Sequence, residues 1–333
     1  MRFLSTYQEV CEAGWGQLLL TSPYATWFQS PEAYRFYGSL TKEMMPFVFG
    51  VSENEQLMGV IAGYITCERS AVKQFFSRRA IIMGGALLDE HISDDALTAL
   101  LSNMLAVLRR KTIYIEVRNL HDYSQWKELF ADVGLSYMPH LNFQVRCNHL
   151  EPLMKDFKSN RKRQVRKALD GGATIIESPT IAQVTDFYHL LKRLYAHKVR
   201  TPLPSLDFFL NFYNQHLGKF LLISYENRII GGMMCPVLAN HTIYEWYVCG
   251  LDKQYRKQYP SVLVTYAAIR YAAANNIPTF DFMGAGVPDV PYGVRTFKSR
   301  FGGVQVEYGR FLYVCSPLLY RLGKLIMNKY RGR

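Results

Sequence analysis

The same order of elements occurs twice along this chain. A group of alternating apolar segments is followed by an amphipathic helix and then by another short apolar segment. In the first half, residues 47–51, 57–66 and 80–83 read as strands, 93–110 as a helix, 113–117 as a strand, 123–133 as a helix and 141–147 as a strand. In the second half, helices over 153–169, 181–199 and 208–216 precede strands over 220–226, 229–238 and 242–249. A helix over 260–274, a strand over 279–283, a short helix over 292–301, a strand over 304–314 and a terminal helix from 315 onward complete it. A strand, a crossover helix and a further strand make a parallel pair, whereas the hairpins are antiparallel. The pattern predicts an α/β (α+β) fold with a duplicated unit and a mixed sheet in each copy, divided into residues 1–149 and 150–333 with the boundary near 148–152.

A chain of 333 residues, 49% of them hydrophobic, has the length for two domains and the apolar content for a core in each. Its formal net charge of +12 points to an anionic partner such as nucleic acid, a nucleotide diphosphate or an acidic membrane face. The 6 cysteines have no close pairs and no nearby histidine at ligand spacing, which argues against a disulfide framework or a zinc site and for reduced, cytoplasmic thiols. Acidic and amide side chains interrupt the first twenty residues, so no secretion signal is read there, and no apolar run reaches the ~20 residues needed to span a bilayer. The last nineteen residues set Leu318, Leu319, Leu322, Leu325 and Ile326 at helical spacing against Arg321, Lys324, Lys329, Arg331 and Arg333. That pattern serves either a packed terminal helix or one lying on an anionic membrane surface.

Chemistry concentrates in residues 279–303, T-F-D-F-M-G-A-G-V-P-D-V-P-Y-G-V-R-T-F-K-S-R-F-G-G. A short buried strand runs into Gly284 and Gly286, which let the backbone approach a ligand closely. Val294, Phe297 and Phe301 then form a helical apolar stripe with Lys298 at its edge and Arg295 further round, and Gly302 and Gly303 end the helix. In the strand over 242–249, alternation puts Glu245 and Tyr247 on one face and Tyr244 and Trp246 on the other. An acid on a half-buried strand needs a partner, and Glu245 serves as a base for an ammonium nucleophile or as the partner of a neighbouring cation. Asp281 stands under the same alternatives, and Tyr292 is a candidate hydrogen-bond donor to substrate. Lys158, Arg161, Lys162, Arg163 and Arg166 crowd little more than two helical turns, so most of them meet water or a polyanion.

These segments, taken in order, carry a resemblance. F-Q-S-P-E-A-Y at 28–34, I-Y-I-E-V-R-N at 113–119, P-H-L-N-F at 139–143 and S-N-R-K-R-Q-V-R-K-A at 159–168 lie in the first half and at the opening of the second. Y-E-W-Y-V-C-G-L at 244–251, the stretch 255–272, F-D-F-M-G-A-G at 280–286 and F-K-S-R-F-G-G at 297–303 follow. The set resembles the Fem peptidyltransferases and their BioF2-like acyltransferase relatives in the GNAT superfamily, over nearly the whole chain. The resemblance implies tandem GNAT-like domains with a cleft between them and the F-K-x-x-F-G lysine, Lys298, at that cleft. It also implies transfer of an aminoacyl group from aminoacyl-tRNA to an amine of a diphosphate-linked peptidoglycan precursor, without a cofactor or a metal.

On that basis Lys298 and Glu245 are the expected catalytic residues. Arg295, Tyr292, Tyr247, Asp281, Gly284, Gly286 and, by position after the helix over 181–199, Arg200 are expected to bind substrate. The basic run is expected to meet RNA. Three departures bear on the acceptor and donor. Tyr34 replaces the family's tryptophan and no basic residue clearly follows it. The long helical arm found in some Fem enzymes is missing. The turn over 254–261, Q-Y-R-K-Q-Y-P-S, lacks the R/Q-x-x-G-x-G/A glycines with which acetyl-CoA-dependent GNATs hold a pyrophosphate. An acyl-CoA N-acetyltransferase of cell-envelope or polysaccharide synthesis and a non-catalytic module for tRNA or phospho-ligands are the alternatives. The expected location is cytoplasmic, with peripheral contact at the inner membrane face through the tail helix.

Overall fold

The computed structural model describes residues 1–68, 74, 76, 78–147 and 154–331, with side chains described as far as residue 326. The expected boundary at 148–152 lies outside the described residues. Two compact units form, one from Met1–His140 together with Glu307–Arg333 and the other from Leu141–Val306. Each is built around one 8-stranded mixed sheet.

In the first unit the sheet order is β1 (Arg2–Leu4), β2 (Met44–Glu53), β3 (Gln56–Thr66), β4 (Arg79–Gly84), β6 (Tyr114–Asn119), β16 (Arg310–Val314) and β7 (Ser136–Met138), with β5 (Leu87–Leu88) on β3. The helix Asp94–Leu108 crosses between β4 and β6, which pair in parallel. Its leucines and Met104 pack on Ile82, Ile115 and Val117. In the second unit the order is β15 (Val304–Glu307), β8 (Leu141–Arg146), β14 (Thr279–Asp281), β12 (Thr242–Tyr244), β11 (Arg228–Leu238), β10 (Gly218–Tyr225) and β9 (Thr174–Ile176), with β13 (Tyr247–Gly250) also on β11. Here the crossover helix is Pro260–Ala274, between β12 and its parallel partner β14. The expected repeat of hairpin, crossover helix and parallel strand is present in both units.

The expected split into residues 1–149 and 150–333 is corrected by the last strands. β8, assigned by sequence to the first half, pairs with β14 of the second unit. The stretch 304–314, read as one strand, is two: β15 joins β8, and β16 goes to the first unit, between β6 and β7. The first unit therefore completes its sheet with a strand from the far end of the chain, and the second unit begins with β8. Hydrophobic alternation cannot reveal the exchange, because Phe143 and Phe311 are equally suited to either core.

Two local features also depart from expectation. The helix over 181–199 is α-helical only to Leu194 and closes with a π turn, Tyr195–Val199, capped by Arg200 in the left-handed region. The strand over 242–249 breaks after Tyr244 and resumes at Tyr247.

Candidate active site

The break in that strand creates the site. β12 runs alongside β14 with Tyr244 opposite Asp281, and the Glu245 N–H donates to the Asp281 carbonyl at 2.9 Å. The next amide, of Trp246, donates to Met234 of β11 at 3.1 Å, and β13 continues along β11 alone. The chain thus leaves β14 while keeping its other neighbour, which opens a fork whose vertex is Glu245 and Asp281. The expected alternation fails here, since Tyr244 and Glu245 are both buried.

A buried carboxylate is costly without a counter-charge, and Lys298 supplies one. Its ammonium lies 2.8 Å from Glu245 Oε1 and donates to the carbonyl oxygens of Phe282 at 2.7 Å and Gly284 at 2.9 Å. Three acceptors match the three protons of an ammonium, and the nitrogen also stands over the Phe282 ring. The stem follows the apolar stripe of the helix Gly293–Lys298, and Phe297 and Phe301 pack together at 5.2 Å. Burial raises the Glu245 carboxyl above its ordinary range, Lys298 opposes that rise, and Asp281 adds to it.

Asp281 is fully buried, and its carboxylate accepts from Asn142 Nδ2 at 2.8 Å, Gln144 Nε2 at 2.9 Å and the Met283 amide at 2.6 Å. Burial raises its pKa while these donors pull it down. Asn142 Oδ1 in turn accepts from the Gly284 amide at 2.7 Å, the Leu141 amide donates to the Gly286 carbonyl at 2.8 Å, and the Ala285 amide donates to the Leu141 carbonyl at 2.6 Å. The turn Met283–Gly286 is clamped on β8 from one side and held by Lys298 from the other. Met283 has φ 56 and Gly286 φ 82, and a Cβ on Gly286 would stand 3.0 Å from the Tyr292 ring. Strain of this kind persists only where its surroundings enforce it.

Two helix starts, where backbone amides can hold a pyrophosphate, are occupied by the protein's own side chains. In the helix Pro260–Ala274, Pro260 has no N–H and the Ser261 amide donates to Asp252 Oδ1 at 3.1 Å. The amides of Val262 and Leu263 both donate to the Tyr259 carbonyl at 3.0 Å. At the helix Asp94–Leu108, Ser93 caps Ala96, and Asp94 and Asp95 occupy the first turn. Carboxylates at both helix starts disfavour a diphosphate there.

Residues 232–328 match the model of the FemAB family. Over that stretch, which holds Glu245, Asp281 and Lys298, the chain is similar to the FemAB family. The fold is similar to the crystal structure of FemX, with a TM-score of 0.71 at 15% identity over 98% of this chain and 100% of that one. It is also similar to a tandem GNAT protein from the clavulanic acid biosynthesis pathway, with TM-score 0.61 at 10% identity, covering 95% of this chain and 99% of that one. A third similar structure is the C-terminal domain of a putative lysylphosphatidylglycerol synthetase from Agrobacterium fabrum, with TM-score 0.59 at 12% identity over 97% and 96% of the two chains. No curated protein matches by sequence.

The structure brings Lys298, Glu245, Asp281 and Gly284 into one network. Arg295 acts on the adjoining loop: its guanidinium donates to the carbonyls of Ala285 at 3.0 Å and Pro288 at 2.6 Å, and to that of Val287. Tyr292 is exposed beside Gly286. Tyr247 packs on Phe209 at 5.2 Å and on Tyr195, whose phenol is pushed up to about 12 by burial. Arg200 is exposed on the π turn. In the basic run, Lys158, Arg163 and Arg166 are exposed and Lys162 donates to the Lys155 carbonyl at 2.7 Å. Arg161 departs from the polyanion expectation: it is buried, with its guanidinium 4.5 Å from the Phe297 ring, against the helix that carries Lys298. Sequence reasoning missed Asn142 and Gln144. Their only signal was an alternating amide pair in P-H-L-N-F-Q, and without the strand exchange nothing connected it to Asp281.

Proposed function

We propose that this Fem-type protein transfers an aminoacyl group from aminoacyl-tRNA to an amine of a diphosphate-linked peptidoglycan precursor. The Glu245–Lys298 ion pair at the fork carries the reading. The neutral amine attacks the ester carbonyl, the C–N bond forms, and the ribose oxygen leaves with a proton. Glu245, its basicity raised by burial, takes the proton lost by the amine and returns it to the departing ribose oxygen. Lys298 trades one of its two main-chain carbonyls for the oxygen of the tetrahedral intermediate, a contact worth roughly 3 kcal/mol in an acyl-transfer transition state. The clamped Met283–Gly286 turn holds the carbonyl close to that ammonium, so most of the advantage comes from alignment.

The occupied helix starts support an ester-linked donor over acyl-CoA. The exposed basic side chains of the helix Ser159–Asp170 suit contact with the tRNA backbone. Among the described residues no helix is long and apolar enough to cross a membrane. The tail helix Pro317–Arg331 supports peripheral contact with anionic lipid, since Leu318 and Leu325 are 80% and 67% exposed beside Arg321 and Lys324. A likeness in fold to a putative lysylphosphatidylglycerol synthetase domain agrees with work at a lipid surface.

The deciding experiment incubates the protein with labelled aminoacyl-tRNA or labelled acetyl-CoA and a panel of muropeptide precursors. Label appearing on precursor from tRNA alone supports the reading. Transfer from acetyl-CoA, or binding of tRNA with no transfer to any acceptor, replaces it.

A further inference from the structure

In the first unit, one face of the sheet carries a charge arrangement that the proposed transfer does not use. Along β6, Ile115 and Val117 face the core, so Glu116 and Arg118 point the other way. Arg118 is the register partner of Arg310 on β16, which sets two guanidiniums directly opposite each other. Such a pairing is destabilising unless something negative lies between. Glu116 fills part of that need, with Oε2 at 2.8 Å from Arg118 Nη2 and Oε1 at 2.7 Å from Arg310 Nη1. Both carboxylate oxygens are engaged, and the two arginines hold the carboxyl at about 2 against the effect of burial.

The remaining donors are poorly served. Among the described residues, Arg118 Nη1 meets the Met83 sulfur at 3.8 Å and Arg118 Nε has no partner. Arg79, at the start of the neighbouring β4, donates to the Tyr114 hydroxyl at 3.3 Å, and its Nε likewise has no partner among the described residues. Arg310 Nη2 meets His140 Nε2 at 3.0 Å, so two guanidiniums share one carboxylate while a third, Arg79, stands on the neighbouring strand. The side chains of Arg118 and Arg310 are nevertheless 32% and 26% exposed, so a ligand from solvent can reach them.

We propose that this face holds an oxyanion of the phosphate class, gripped by Arg118 and Arg310, with Glu116 fixing the spacing of the two forks. Planar guanidiniums bind tetrahedral oxyanions through paired N–H donors, which a lysine cannot reproduce. Free phosphate, free pyrophosphate and the diphosphate of a nucleotide sugar share this chemistry. The site stands on its own residues and requires no transfer activity.

The test is thermal unfolding and calorimetric titration with inorganic phosphate, pyrophosphate and a nucleoside diphosphate sugar. Wild type is expected to melt at a higher temperature as the anion saturates. Arg118→Gln and Arg310→Gln should each weaken binding at least tenfold and lose the anion-dependent shift, and Arg118→Lys should recover little of it. Reading the shift within each variant separates lost binding from lost stability. Lys158→Gln/Arg163→Gln, in the basic helix, should leave the response intact, which excludes general attraction to a cationic protein. Lys298→Ala should also retain it, so failure of the transfer reading leaves this result unaffected. Response to the nucleotide sugar alone identifies the source as the nucleotide. The absence of saturable binding in wild type, or an unchanged response in both glutamine variants, overturns the proposal.

Discussion

Lys298 and Glu245 meet at 2.8 Å inside the second unit, 53 positions apart in the chain and at the point where β12 parts from β14. The ammonium is also tied to the carbonyls of Phe282 and Gly284, so the pair fixes the fork and its glycine turn together. A cation on a short amphipathic helix thereby becomes a positioned, desolvated charge.

Removing one partner of this pair leaves the other buried and uncompensated. Lys298→Ala is expected to abolish transfer and to lower stability by about 3–5 kcal/mol. Replacing both members with apolar residues, as in Lys298→Met/Glu245→Leu, should recover most of the stability and none of the activity. Urea denaturation alongside a transfer assay separates the two effects, and full activity in either variant removes the pair from the chemistry.

The pH dependence follows from burial of Glu245. Its carboxyl titrates above the ordinary carboxylate value, so the base form is lost as pH falls through that raised value. Transfer should therefore decline on acidification at a pH where an exposed glutamate would still be ionised. Glu245→Gln should remove that limb and slow transfer by about 10²–10⁴-fold. The sign for stability is opposite: a raised folded pKa means that the folded state binds the proton more tightly. The contribution is fully present below the unfolded pKa and is lost as pH rises through the folded one. A pH–rate profile of wild type and Glu245→Gln checks the assignment, and a limb that survives the substitution belongs to another group.

Binding of tRNA should weaken steeply with salt, and each exposed cation removed from the helix Ser159–Asp170 should reduce the log–log slope by about 1. Arg163→Gln and Arg166→Gln test this by filter binding across a salt series. Arg161→Gln should instead lower stability and leave the slope unchanged, since its guanidinium is stacked on Phe297. A slope insensitive to Arg163 and Arg166 places the RNA elsewhere.

For the tail helix, sedimentation with vesicles is the direct measurement. Phosphatidylglycerol-containing vesicles should carry the protein down, and pure phosphatidylcholine should not. Leu318→Glu/Leu325→Glu should release it, because these leucines are 80% and 67% exposed and have little packing to lose. If the double variant binds as well as wild type, the stripe has another role.

The sequence by itself determined much of the local and repeated structure. Capping at Ser93, the proline start at Pro260 and the glycine stop at Gly302 are short-range effects, and all are present. The duplicated hairpin, crossover helix and parallel strand were also legible, because apolar periodicity reports which face of each segment is buried. The Fem resemblance rested on the order of such segments, and the match over 232–328 and the similar folds agree with it.

Only the tertiary structure decided which sheet each terminal strand joins. β8 and β16 have interchangeable apolar faces, and pairing depends on partners far away in the chain. From that exchange came Asn142 and Gln144 as the donors that hold Asp281, and Arg310 as the neighbour of Arg118. The break at Glu245 was hidden for a related reason. Strand alternation assumes continuous pairing on both edges, whereas the loss of one neighbour turned the acid inward, where the charge of Lys298 compensates it.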